Sequence, residues 1–398
     1  LAVAGPSQLS ESRSSPQTGD PAIVAVYPNP AIHGDAGEFV VLSVPPETDL
    51  APYTLSDGED TVPLPNVTAS GRITVSTNAT AIRPVLDRPV RDLPGDLRLA
   101  NGGERITLRR DGAPVDTASY GRAPEAEVYE CANESESDGQ WRPLGATDRP
   151  VATAGPGRVR AFVLPDGSGV VSDAISGAEE RILLAGYTFT DGGVADRLVA
   201  AVDRNVTVHV LVEGTPVGGM TRRQARTLDR LDEAGVDVTV LGGDRARYRF
   251  HHAKYAVVDE RAVVTTENWK PSGVGGNASR GWGVIASQSA VVESLATTFR
   301  ADTGALDARP WSAVRANRSF HPARNPPANG SYPTRFAPRS VPVNGTRLVV
   351  APDNAETELR SLLSNATESL DVQQMALGGR NTPPVRATLD AARRGVEV

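Results

Sequence analysis

Cysteine is nearly absent from this 398-residue chain: Cys131 stands alone, which excludes an internal disulfide and any metal site built from several thiolates. Folding must therefore rest on packing. No run of eighteen or more apolar residues occurs, which excludes a membrane-spanning helix within the sequence. Lysine is also scarce, since only Lys254 and Lys270 among 41 basic residues are lysines and all the others are arginines. Aromatic residues make up 5%, and no basic patch is interleaved with them, which counts against tight nucleic-acid binding. The 48 acidic residues bring the net charge to -7, a balance that repels polyanions unless one cleft is locally positive.

What is abundant points to the surroundings in which the chain works. Arginine in place of lysine, with many Ala, Gly, Asp and Val, fits a high-GC genome, and an acidic surface fits a salt-loving host. Nine of the 15 asparagines begin an Asn-x-Ser/Thr sequon, at positions 66, 78, 133, 205, 277, 317, 329, 344 and 365, where chance gives about two or three. Ala2-Val3-Ala4 before Gly5 resembles the small-residue site that closes a secretory signal. Together these features predict a protein that is secreted or held at the cell surface.

Residues 1–20 are Ser- and Pro-rich without periodicity and read as a disordered leader. From residue 21 to about 150 the grammar is all-β, with short apolar runs between turn signals and hairpin candidates at Asp57-Gly58 and Asp111-Gly112. The runs VAVYPNP (24–30), GEFVVL (37–42), DLAPYTLSDG (49–58), LANGGERITLRRDGAPVDTASYG (99–121) and GQWRPLGA (139–146) resemble the lamin-tail domain. That resemblance implies an immunoglobulin-like β-sandwich.

Over 158–302, strands such as RILLAGYTF, VTVHVLVEG and VDVTVLGG alternate with helical patterns at 170–178, 195–204 and 221–234. That alternation predicts an α/β fold with a mainly parallel sheet. Residues 303–345 carry seven prolines and read as a linker or extended loop. From 346 the pattern restarts: RLVVAPDNAETELRSLLSNATESLDVQQMAL mirrors RAFVLPDGSGVVSDAISGAEERILLAGYTF, and Val396 lies 190 residues after Val206 (396 − 206). The fold class expected is therefore multidomain: a β-sandwich followed by tandem α/β repeats, the second (346–398) cut short in the strand that matches 206–212.

The chemistry concentrates in HHAKYAVVDERAVVTTENWK (251–270), which holds both lysines. On a strand, His252 and Lys254 share a face, with Asp259 at the strand's end. An imidazole is a nucleophile and proton carrier near neutral pH, and a compact ammonium neutralises a phosphate oxygen as a point charge, where arginine presents a planar fork. A carboxylate can orient the imidazole. Chance yields this spacing about 0.002 times, given five His, two Lys and 27 Asp.

His-x-Lys-x4-Asp is similar to the signature of the phospholipase D superfamily, and Thr265-Thr266-Glu267-Asn268 stands where that family has Gly-Ser-x-Asn. ThrThr for GlySer keeps a hydroxyl and loses the glycine. The resemblance implies a phosphohistidine mechanism without metal or other cofactor. His252 would be nucleophile or general acid, Asp259 would orient it, and Lys254, Thr266 and Asn268 would bind phosphate. A second His-x-Lys-x4-Asp is expected near position 442 (252 + 190), beyond residue 398.

The substrate implied is a phosphodiester, phospholipid in preference to nucleic acid, with peripheral contact to a membrane surface. A secreted nuclease, an inactive surface-binding protein and a homodimer pairing two copies of His252 stay open. Trp269 and Lys270 read equally as cleft or core. His251 reads as a packed residue, Glu213 as a turn carboxylate, and Arg245, Arg247 and Arg249 as added positive potential or a solvated strand.

Overall fold

The computed structural model describes residues 19–30, 36–83, 86, 89–131, 139–242, 246–305, 307–316, 318–374, 376–380 and 382–398. The predicted leader as far as residue 18, His33, Arg245 and the sequon asparagines Asn133 and Asn317 lie outside these residues. The chain divides into two compact units, residues 1–144 with 243–249, and residues 145–242 with 250–398.

The first unit is all-β. A six-stranded sheet runs in the order Gln140–Pro143, Glu127–Glu130, Ala22–Tyr27, Phe39–Asp49, Thr68–Ser76, Val90–Asp92, and a four-stranded sheet in the order Thr61–Pro63, Tyr53–Ser56, Glu104–Arg110, Ala113–Tyr120. Alternation sends Ile23, Val40, Leu42 and Val75 of one sheet and Leu55, Ile106, Leu108 and Val115 of the other into a shared core. The buried Asp116 carboxylate accepts the Ile23 N–H (2.6 Å). Asp111 (φ 50°) and Gly112 (φ 83°) are both left-handed, as a two-residue hairpin turn requires, and the flanking Arg110 and Ala113 pair.

The second unit is built on a nine-stranded sheet. Its order is Ala308–Pro310, Asp237–Leu241, Thr207–Glu213, Arg181–Gly186, Lys254–Val258, Arg261–Thr265, Gly281–Ala286, Gly157–Leu164, Arg339–Val343. The sheet is mixed, not mainly parallel. Thr207–Glu213 is parallel to its two neighbours, and the other described pairs are antiparallel. Parallel neighbours need a long crossover, and the helices Gly192–Asp203 and Arg222–Glu233 supply it for these pairs alone. Val258 and Arg261 instead pair across the two-residue link Asp259-Glu260.

Helix Arg222–Glu233 shows why these segments fold as they do. Gln224, Ala225, Leu228 and Leu231 fall on one buried stripe, charged residues take the opposite face, and the Thr221 hydroxyl caps the start by accepting the Gln224 N–H. Its leucines join Leu184, Val210, Val238 and Ala256 of the sheet in one core. His209 has the opposite parity, and its ring meets Phe299 of helix Ser289–Thr303 on the other side (4.9 Å).

The proline-rich segment 303–345 is more than a linker. It supplies both edge strands of the sheet, Ala308–Pro310 and Arg339–Val343, because proline is tolerated where one side of a strand needs no N–H donor. Within 346–398, helices Ala355–Ser364 and Pro383–Arg393 repeat a contact of the earlier helices. The Arg394 guanidinium donates to the carbonyls of Ser364 and Ala366, as that of Arg204 does to Ser176 and Ala178. Ser369 and Glu397 form a parallel bridge, as Arg181 and Thr207 do. No described helix is long and apolar enough to cross a membrane.

Candidate active site

Strands Arg181–Gly186, Thr207–Glu213 and Asp237–Leu241 all point their carboxyl ends to one edge of the sheet. Lys254 opens its antiparallel strand opposite Gly186, at the same edge. Residues 186–191, 213–215, 250–254 and 265–270 therefore converge there, the place where α/β sheets hold ligands.

His252 lies in the loop before the strand that begins at Lys254, so strand alternation is not what pairs them. Lys254 folds back instead. Its Nζ donates to the His252 carbonyl oxygen (2.7 Å) and lies 3.1 Å from Nδ1 and 3.5 Å from Nε2 of the ring. The Tyr187 ring meets the imidazole at 4.3 Å in an edge contact, and the ammonium stands 5.6 Å from the centre of the same ring. Partial burial, then the charges of Lys254 and His251, holds the His252 imidazolium below its usual pKa. Burial is also the main cause that lowers Lys254 to about 8, with Lys270 adding to it and Glu267 opposing it.

Asp259 is not placed to orient His252. It sits at the far end of the strand, in a left-handed turn (φ 50°), and its carboxylate accepts the N–H groups of Glu179, Glu180 and Arg181 (3.1, 2.9 and 3.0 Å). These bonds hold its pKa below the usual carboxylate value against the opposing effect of burial. Asp259 thus anchors the start of a neighbouring strand. Asp259→Ala is expected to lower stability by about 1–3 kcal/mol through the orphaned N–H groups while leaving turnover within about threefold. Thermal melts beside steady-state rates check this, and a large fall in kcat in a folded variant would return Asp259 to the reaction.

Thr266 is exposed, and its hydroxyl accepts the Trp282 N–H (3.0 Å) and donates to the Trp282 carbonyl oxygen over a long 3.5 Å. Asn268 Oδ1 is buried without a hydrogen-bond partner among the described residues. Trp269 resolves to core: it is 0% exposed, its indole N–H donates to Ala185 O (2.9 Å), and its ring fills the space where a side chain at Gly186 would sit. Lys270 is half-buried at the cleft, and burial lowers its pKa. Among the arginines, Arg249 is tied to Glu125 within the first unit, and Arg247 stacks on Tyr248.

Three residues of this site escape sequence reasoning. Glu213 is 2% exposed and more than a turn carboxylate: it accepts the His251 N–H (2.6 Å), the Thr215 N–H (2.5 Å) and the Thr215 hydroxyl (2.9 Å), clamping the peptide before His252. A glutamate closing a strand at the ligand edge is the only signal it gave. Tyr187 and Glu267 carried none. His251 is packed as expected, with Nε2 3.6 Å from Asp302. Among the described residues, no group of three or more His, Cys, Asp or Glu side chains is placed to hold a metal ion.

Residues 171–303 match the family model described as a cardiolipin synthase, PLD-like domain. This part of the chain is a phospholipase D-like domain. No curated protein matches the chain. Among solved structures it is similar to Nuc of Salmonella typhimurium, a phospholipase D family member (21% identity, 39% of this chain and 97% of that one, TM-score 0.34). It is similar also to NucT of Helicobacter pylori (16%, 39% and 98%, 0.33) and to the phosphatidylserine synthase of Haemophilus influenzae (10%, 46% and 49%, 0.31).

Proposed function

We propose that the chain is a secreted phosphodiesterase that acts through a phosphohistidine intermediate on a phospholipid or a related phosphodiester. The observation that carries this reading is the Lys254 ammonium 3.1 Å from the His252 ring at the ligand edge of the sheet. A ring nitrogen of His252 attacks phosphorus, the P–N bond forming as the P–O bond to the leaving alcohol breaks. The leaving oxygen takes a proton from a general acid, a role that the resemblance gives to a second histidine. That histidine next removes a proton from water as the water oxygen attacks phosphorus, and the P–N bond breaks to restore His252.

Lys254, Thr266 and Asn268 hold the non-bridging oxygens. The repeated contacts of Arg204 and Arg394 support a second copy of this helix arrangement. The sequons support export, and the net charge of -7 favours a lipid over a polyanionic nucleic acid. The first unit, in this reading, is a lamin-tail-like sandwich of immunoglobulin type.

Incubation with a radiolabelled phospholipid and, separately, a radiolabelled oligonucleotide tests the reading. Acid-labile, alkali-stable label on His252 from the lipid is expected. Label from the oligonucleotide alone makes the protein a nuclease, and label from neither leaves a surface-binding protein. The rate against pH should be bell-shaped. Its acid limb falls below the ordinary histidine value, because the neutral imidazole is the nucleophile and its pKa is lowered. Its alkaline limb falls at about 8, where Lys254 loses the proton that attracts phosphate. A rate still rising above pH 9 would remove Lys254 from the mechanism.

A further inference from the structure

His252 is aimed by side chains and not by the sheet. Residues 251–253 lie in the loop before the strand that begins at Lys254, so no regular ladder fixes the peptide that carries the imidazole. Two side chains grip it instead. The Lys254 ammonium holds the His252 carbonyl on the outgoing side (2.7 Å), and Glu213 holds the incoming side, its Oε2 accepting the His251 N–H (2.6 Å). Closing the turn after its own strand occupies only Oε1, which accepts the Thr215 N–H and hydroxyl (2.5 and 2.9 Å). Oε2 is therefore turned to the peptide before His252. All three bonds are accepted, so a glutamine here would point its NH2 group at a backbone N–H whichever way its amide is turned. A carboxylate, 2% exposed, is what the position needs.

The ring has a second support. Tyr187, which follows Gly186 at the same edge and is 9% exposed, meets the imidazole in an edge contact with 4.3 Å between ring centres, and its hydroxyl accepts the Val217 N–H (2.6 Å). Glu213 through Thr215, and Tyr187 through Val217, thus bind the same short loop, which joins them into one mount around His252. Resting on the phosphodiesterase reading, we infer that Glu213 and Tyr187 are positioning residues that set the angle at which the His252 ring nitrogen meets phosphorus. Neither is a group that reacts. Attack requires the nitrogen in line with the departing oxygen, and a displacement of about 1 Å from that line costs about 10²-fold. The loss falls on kcat, because Lys254, Thr266 and Asn268 stay in place to hold phosphate.

The test uses the whole protein and the two radiolabelled substrates named above, beside NMR of isotope-labelled histidine, in which the His252 ring signal is assigned by its loss in His252→Ala. Glu213→Gln is expected to lower kcat about 10²-fold with KM within about threefold, and to move the His252 signal while that of His209 stays. Tyr187→Leu should lower kcat about tenfold and move the same signal, whereas Tyr187→Phe, which keeps the ring, should restore both. If Glu213→Gln does not fold, Thr215→Val is read in its place. It removes one of the three bonds from a half-buried position and is expected to lower kcat about fivefold at unchanged KM. In a wild type that turns over either substrate, three results overturn the inference and leave the phosphodiesterase reading standing: an unchanged kcat in the variant read at this clamp, an unmoved His252 signal, or equal rates for Leu and Phe at position 187. A wild type that turns over neither substrate overturns that reading and this inference with it.

Discussion

His252→Ala is expected to lower turnover of a phosphodiester by at least about 10³-fold with little change in KM, since the substitution removes the atom that forms the intermediate and leaves the groups that hold phosphate. Lys254→Arg is expected to cost about 10²-fold. The ammonium is folded back onto its own motif, 2.7 Å from the His252 carbonyl and 3.1 Å from the ring, a geometry that a longer planar guanidinium cannot reproduce. Steady-state kinetics beside a phosphoenzyme trap separate the two roles. His252→Ala should yield no trapped intermediate, whereas Lys254→Arg should yield it slowly. Rates within about threefold of wild type in either variant would move the chemistry to other residues.

The second large effect concerns stability. Trp269→Ala is expected to cost about 3–5 kcal/mol, because a fully buried indole is lost together with its bond to Ala185 O, and the void opens beside Gly186, which has no side chain to fill it. At about 2–4 °C per kcal/mol for a domain of this size, the melting temperature should fall by about 6–20 °C. Trp269 O also accepts the N–H groups of Thr190 and Asp191, so the loss should loosen the loop that carries Asn268 and weaken phosphate binding. A shift of less than 2 °C in circular-dichroism melts would mean that the loop is held by something other than the ring.

Local spacing is what made His252 and Lys254 legible in the sequence, since two residues apart is close enough for side chains to meet even where the strand has not begun. The order of strands and helices in the α/β region, and the hairpin at Asp111-Gly112, were legible for the same reason. Asp259 looked like a partner of His252 because it completes the motif. Its real partners are the backbone groups of residues 179–181, which no spacing around 259 encodes. The alternation of strands and helices overstated the parallel character of the sheet, although the two-residue gap between Val258 and Arg261 already specified a hairpin. Proline content disguised 303–345, where proline marks a strand's place in the sheet and not its absence.

Those outermost strands have a consequence for how the protein behaves among its own kind. A nine-stranded sheet with open sides is a template for endless strand addition, and a crowded solution of such molecules tends toward fibres. Here one side closes on a three-residue strand ending in Pro310, and the other on a strand with Arg339 at its start and Pro342 near its end. An incoming backbone meets a proline and an exposed arginine on each side, which works against growth of the sheet into a polymer.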